Sequence, residues 1–137
     1  MKKTILYGLA IAMAIFVGMN VSAKSKVRPT YAFGFAASFT DSTVYFTDIQ
    51  FLDSSWFDEK SGYIVSREQY SYQLRDYLAG LGEEHRTCVF TYDKDRKKIQ
   101  KRYDKMLSKY TKKGNFDVKH LKEEDFKFKC IAPFDPE

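Results

Sequence analysis

The sequence predicts an α/β protein of the α+β kind, a two-layer sandwich with both helices on one face of a mixed sheet, in the order β-β-α-β-α-β-β. The sheet should have about four to five strands. Three observations carry that reading. Several short runs alternate large apolar residues with small or polar ones, the period of a half-buried strand. Two longer stretches repeat apolar residues at i, i+4, i+7, i+8 and i+11, one stripe along a 3.6-residue helix. The final alternating runs are half polar (Asp117 and Lys119; Lys127 and Lys129), whereas a sheet covered on both sides needs strands apolar on both faces.

The elements follow in order. Residues 31–39 place Tyr31, Phe33 and Phe35 on one face and Ala32, Gly34 and Ala36 on the other, so the small face suits close approach of a helix. Asp41, Ser42 and Thr43 have turn chemistry, and residues 44–49 return as the second strand of a hairpin. Residues 50–62 show neither period; they mix Phe51, Leu52, Trp56 and Phe57 with turn formers. Ser66 and Gln69 have capping-box spacing ahead of the stripe Tyr70, Leu74, Tyr77, Leu78 and Leu81, and Gly80 and Gly82 end it. Residues 87–92 are β-branched and aromatic, hence a strand. Asp95 caps a second helix with the stripe Ile99, Tyr103, Met106, Leu107 and Tyr110, which Gly114 closes. Residues 115–121 and 125–131 end the chain as two short strands. The strand–helix–strand units should cross over right-handed and set their strands parallel.

The N-terminus has the three parts of a secretory signal: Lys2 and Lys3, an apolar run over residues 5–19, and small residues Val21 and Ala23. A Sec-type signal peptide over residues 1–23, cleaved after Ala23, places the protein in the periplasm or outside a bacterial cell. No lipid anchor is expected, since no cysteine precedes Cys88, and no transmembrane helix after cleavage. Residues 24–30 then read as a disordered lead-in, 31–132 as a single globular domain and 133–137 as a tail. Hydrophobic residues make up 44% of the chain and aromatic ones 17%, so the domain is aromatic-rich and neither disordered nor fibrous. Losing Lys2 and Lys3 takes 23 basic residues to 21, against 18 acidic, so the mature charge is modest. With the compartment, that argues against a nucleic-acid partner.

No catalytic constellation stands out. His85 and His120 lie in polar surroundings, and no serine sits in a nucleophile elbow. No metal site or cofactor is expected: the spacings Cys-x-x-Cys and His-x-x-x-His are absent, and so is a glycine-rich phosphate loop. Three features remain. Phe51, Leu52, Trp56 and Phe57 follow no period, and either cover the sheet's open face or meet a partner. The second helix has ten Lys or Arg between Lys94 and Lys113 against only Asp95 and Asp104, so Lys97, Lys101 and Lys105 form either a solubilising face or a site for an acidic partner. Cys88 and Cys130 are either a disulfide, which the compartment permits, or two buried thiols. The reading these features support is an exported, non-enzymatic binding or scaffolding protein of the cell envelope, its partner an envelope protein or glycan. The alternative is a small hydrolase or inhibitor-type domain using scattered carboxylates and a histidine.

Overall fold

The structure, a computed structural model, describes residues 24–133; the signal peptide expected over residues 1–23 and the last four residues of the expected tail lie outside the described residues. The element order is β1 (Ser25–Ala37), β2 (Thr43–Thr47), β3 (Gln50–Asp58), α1 (Arg67–Gly80), β4 (Thr87–Asp93), α2 (Arg96–Lys112) and β5 (Asp117–Leu121). This is an α+β fold with a mixed five-stranded sheet.

β1 is the centre of the sheet. One edge pairs with β4, Phe33 opposite Thr91 and Phe35 opposite Val89. The other edge pairs first with β2 (Phe35 opposite Phe46) and then with β3 (Ala32 opposite Gln50), all antiparallel. β2 and β3 are thus one returning ribbon, interrupted at Asp48 and Ile49. β5 adds in parallel outside β2, with Val44 opposite Val118.

β1 begins at Ser25, which corrects the disordered lead-in expected for residues 24–30. That stretch lacks hydrophobic period, but Lys26 and Val27 pair with Phe57 and Trp56 on β3. A backbone ladder needs a partner strand, not apolar side chains. β3 escaped the sequence pattern because its register against β1 shifts: Thr30 opposes Leu52, yet Arg28 opposes Ser55. The extra residue is a bulge at Asp53 and Ser54, and a bulge reverses the alternation beyond it. Leu52 and Phe57, five residues apart, therefore share one face.

The helices lie on opposite faces of the sheet, which corrects the expectation that both cover one face. Leu74, Leu78 and Tyr70 of α1 pack with Ala32, Ala36 and Phe90, whereas Ile99, Tyr103 and Tyr110 of α2 pack with Phe33, Phe35 and Phe46. The direction of the crossovers explains it. The link β3–α1–β4 steps across the sheet one way, and β4–α2–β5 steps back the other. Two crossovers of the same hand that travel in opposite directions must cover opposite faces. β5 can stay half polar because it is an edge.

Gly34 allows α1 to approach: a Cβ there would lie 2.8 Å from Leu74 Cδ2 and 3.0 Å from Phe128 Cζ. Asp95 caps α2 as expected, its side chain accepting from the Lys97 N–H at 2.9 Å. Ser66 does not complete a capping box; it takes a left-handed conformation (φ 63°) with no capping hydrogen bond.

The last expected strand, residues 125–131, is not a strand. Phe126 and Phe128 do point into the core, as their alternation with Lys127 and Lys129 implies. Glutamine side chains stand in for a neighbouring strand. Gln50 donates to the Phe126 carbonyl and accepts from the Phe128 N–H, both at 2.8 Å. Gln73 does the same for both backbone groups of Lys129 (2.9 and 2.8 Å).

Candidate functional site

The four apolar residues of the irregular segment divide by face. Leu52 and Phe57 are core residues, only 1% and 2% exposed, on the α1 side with Ile64. This corrects the expectation that they belong to a binding surface, because the bulge turns both inward. Phe51 and Trp56 turn to the α2 side, opposite Tyr31 and Val27 on β1. The Tyr31 and Phe51 rings lie 5.3 Å apart, and Phe51 is 49% and Val27 46% exposed. α2 does not cover this part of the sheet: its first residue, Arg96, stands over the Tyr31 ring at 5.8 Å, and the helix runs away from there toward Phe35 and Tyr110. The result is an uncovered aromatic face made of Val27, Tyr31, Phe51 and Trp56. Beside it, a groove of about 500 Å³ opens between the β3 bulge and the C-terminal segment, lined by Phe51, Asp53, Ser54, Lys127 and Lys129.

Lys97, Lys101 and Lys105 are all exposed along α2. They are not brought to the aromatic face.

Both cysteines are free, which removes the disulfide considered above. Cys88 is opposite Ala36 on β1, while Cys130 lies beside Asp53 (Sγ to Oδ1 4.0 Å), just beyond Leu52, which is opposite Thr30. Ala36 and Thr30 are about 20 Å apart along one strand, far beyond the Cα separation that a disulfide spans. Burial pushes the Cys88 thiol up to about 11, against the pull of Arg75 and Arg86, so it is a poor nucleophile. Titration of the unreduced, denatured protein should find two thiols; finding none would restore the bond. In the native protein exposed Cys130 should react first.

One constellation was missed in the sequence. His120 bonds Asp48 through Nε2 and faces the Tyr103 hydroxyl through Nδ1 at 3.4 Å. The other Asp48 oxygen accepts from the Glu123 N–H at 2.9 Å. Partial burial works against the Asp48 charge, but the Glu123 amide, His120 and Lys122 outweigh it and hold the carboxyl below its ordinary value. Burial, with Asp48 and Asp104 nearby, raises the Tyr103 phenol, so it is held protonated rather than poised as a nucleophile. Chemically the cluster is a tie between α2, β5 and the β2–β3 corner. No sequence signal marks it, because its members are separated by as many as 75 residues. His85 stays apart, its side chain 92% exposed.

Among the described residues no group of three His, Cys, Asp or Glu side chains is placed to hold a metal ion. No helix among them is long and apolar enough to cross a membrane. No family model, curated protein or solved structure matches the chain.

Proposed function

We propose that this protein is an exported domain of the cell envelope that binds an envelope protein or glycan through its uncovered aromatic face, without chemistry of its own. The observation that carries the reading is that Val27, Tyr31, Phe51 and Trp56 share a stretch of sheet that no helix among the described residues covers. Contiguous apolar surface of this kind marks an interaction site more often than isolated exposed residues do. Aromatic rings there offer flat stacking area with little side-chain entropy to lose on binding. Export rests on the N-terminal pattern of residues 1–23. The hydrolase alternative has less support: His120 is joined to a carboxylate, but its hydroxyl neighbour is held protonated.

Trp56 is the only tryptophan, so its emission reports this face alone. Trp56→Ala should cost about 1 kcal/mol of folding stability, against about 3–5 kcal/mol for Phe57→Ala in the core. Wild-type emission should shift on titration with solubilised envelope glycan or with the envelope protein fraction. Trp56→Ala and Phe51→Ala should each weaken the same association, followed by co-sedimentation. A Trp56→Ala cost equal to that of Phe57→Ala, with no emission change, would make the face structural and end the proposal.

A further inference from the structure

We infer that the outer edge of β4 is a docking strand for an extended acidic peptide segment of another protein, added to the sheet beside the basic flank of α2. This surface is distinct from the aromatic face and stands without it.

β4 pairs only with β1 among the described residues, so it ends the sheet. Backbone groups of a strand alternate between its two edges. On β1 the even-numbered residues turn to the β2–β3 ribbon, as the Glu59 N–H to Lys24 carbonyl bond (3.0 Å) and the Gly34 N–H to Thr47 Oγ1 bond (2.8 Å) show. Odd-numbered residues of β1 therefore bond Thr87, Val89, Thr91 and Asp93, which leaves the N–H and C=O groups of Cys88, Phe90 and Tyr92 pointing outward.

Edge strands are normally protected by proline, charge, brevity or cover. The other edges here have such protection. β1 beyond the end of β4 carries Lys26, Arg28 and Pro29. β5 is only five residues long and carries Asp117 and Lys119. The far edge of β3 is met by Ile64 and by the segment that Gln50 clamps. β4, with the sequence TCVFTYD, has seven residues, no proline and no charge before Asp93.

What lies beside that edge selects the occupant. Thr87, Val89 and Thr91 are on the α2 side of the sheet, and Val89 is 39% exposed. α2 runs alongside β1, from Arg96 over Tyr31, through Tyr103 against Phe33, to Tyr110 against Phe35. Its Gln100 and Tyr103 turn toward Asp48 and Glu123 at the β5 side. Helical spacing then puts Lys98, Arg102, Lys105 and Lys109 in one row on the opposite flank, toward β4. All four are exposed, and none has an acidic partner within ion-pair distance among the described residues. The row is about 16 Å long, the length of about five strand residues. A strand added to β4 would turn every second side chain toward it. On the other face, a shallow groove of about 310 Å³ lined by Arg67, Glu68, Ser71, Cys88 and Phe90 leaves room for the alternate, uncharged side chains.

Acidic side chains at alternate positions satisfy the cations while the backbone satisfies the edge. A second copy of this chain satisfies only the edge, and brings two such rows of cations together.

The test uses a labelled decapeptide alternating Glu with Val, and the same peptide N-methylated at alternate amides. Fluorescence anisotropy should show saturable binding of the first and at least about tenfold weaker binding of the second. Amide exchange at Cys88, Phe90 and Tyr92 should slow only with the unmethylated peptide. The triple variant Lys98→Glu, Arg102→Glu, Lys105→Glu, checked for an unchanged circular dichroism spectrum, should bind at least about tenfold more weakly. Equal binding of the methylated peptide would overturn the proposal in favour of a plain polyanion surface. Slowed exchange at those amides in peptide-free protein that sediments as a dimer would overturn it in favour of self-pairing, and no binding of either peptide would also overturn it.

Discussion

Gln50→Ala is expected to lower the unfolding free energy by roughly 2–5 kcal/mol, although Gln50 lies on the segment whose pattern is least readable. Gln50 is fully buried, and its amide holds the Phe126 carbonyl and the Phe128 N–H at 2.8 Å each. Truncation leaves two backbone groups without partners in a place water does not reach. A buried group left so costs about 1–3 kcal/mol, and the cavity adds to it. The same clamp positions Phe126 and Phe128, whose rings stack edge-on at 4.9 Å; Phe128 also meets Phe90 at 5.0 Å. Urea unfolding gives the total, and amide exchange at Phe128 should rise more than at β1. Gln50→Glu should be no milder, since an ionised carboxylate accepts from Phe128 but cannot donate to Phe126. A loss below about 1 kcal/mol for the alanine variant would mean the segment is held by its phenylalanines alone.

Arg86 should produce the other large effect. Its guanidinium is 3% exposed and is bound by Asp41 at 2.8 Å and Glu83 at 2.9 Å. It also donates to the Thr43 carbonyl at 2.8 Å and lies over the Tyr45 ring at 5.0 Å. One side chain thus joins the β1–β2 hairpin to the turn between α1 and β4. Breaking a buried ion pair by removing one partner costs about 3–5 kcal/mol. The two carboxylates keep some contact with water, at 45% and 38% exposure, so Arg86→Ala should fall at the low end of that range. Asp41→Asn combined with Glu83→Gln should be worse, because it strands the cation instead. Thermal unfolding of the three variants in one buffer settles the ranking; an Arg86→Ala protein as stable as wild type would reduce the cluster to surface decoration.

The two helices were legible because an amphipathic stripe is written in consecutive residues. Tyr70, Leu74 and Leu78 and, on α2, Ile99 stand where their spacing put them. The same holds for the alternation of β1 from Tyr31 and of Phe126 with Phe128. β3 was not legible, since one residue of bulge between Leu52 and Ser55 splits its pattern into two halves of opposite phase. For the candidate site this means that the sequence pattern does not separate Phe51 and Trp56 from Leu52 and Phe57, although only the first pair faces outward. The cationic composition of α2 was plain, but which cations stand beside an open edge was not.

By itself, then, the sequence determined the α+β class, the two helices with the apolar stripes they turn to the sheet (Leu81, at the end of the first, is exposed instead), and the aromatic character of the core. Each follows from periods of two or 3.6 residues that the backbone imposes locally. The tertiary structure decided the rest: the opposite placement of the helices, the division of residues 50–58 between core and surface, the Gln50 clamp, the separation of Cys88 from Cys130, and the joining of His120 to Asp48. These depend on the direction in which the chain crosses the sheet and on contacts between residues far apart in sequence. Periodicity records which way a side chain points relative to its neighbours, and not what lies opposite it.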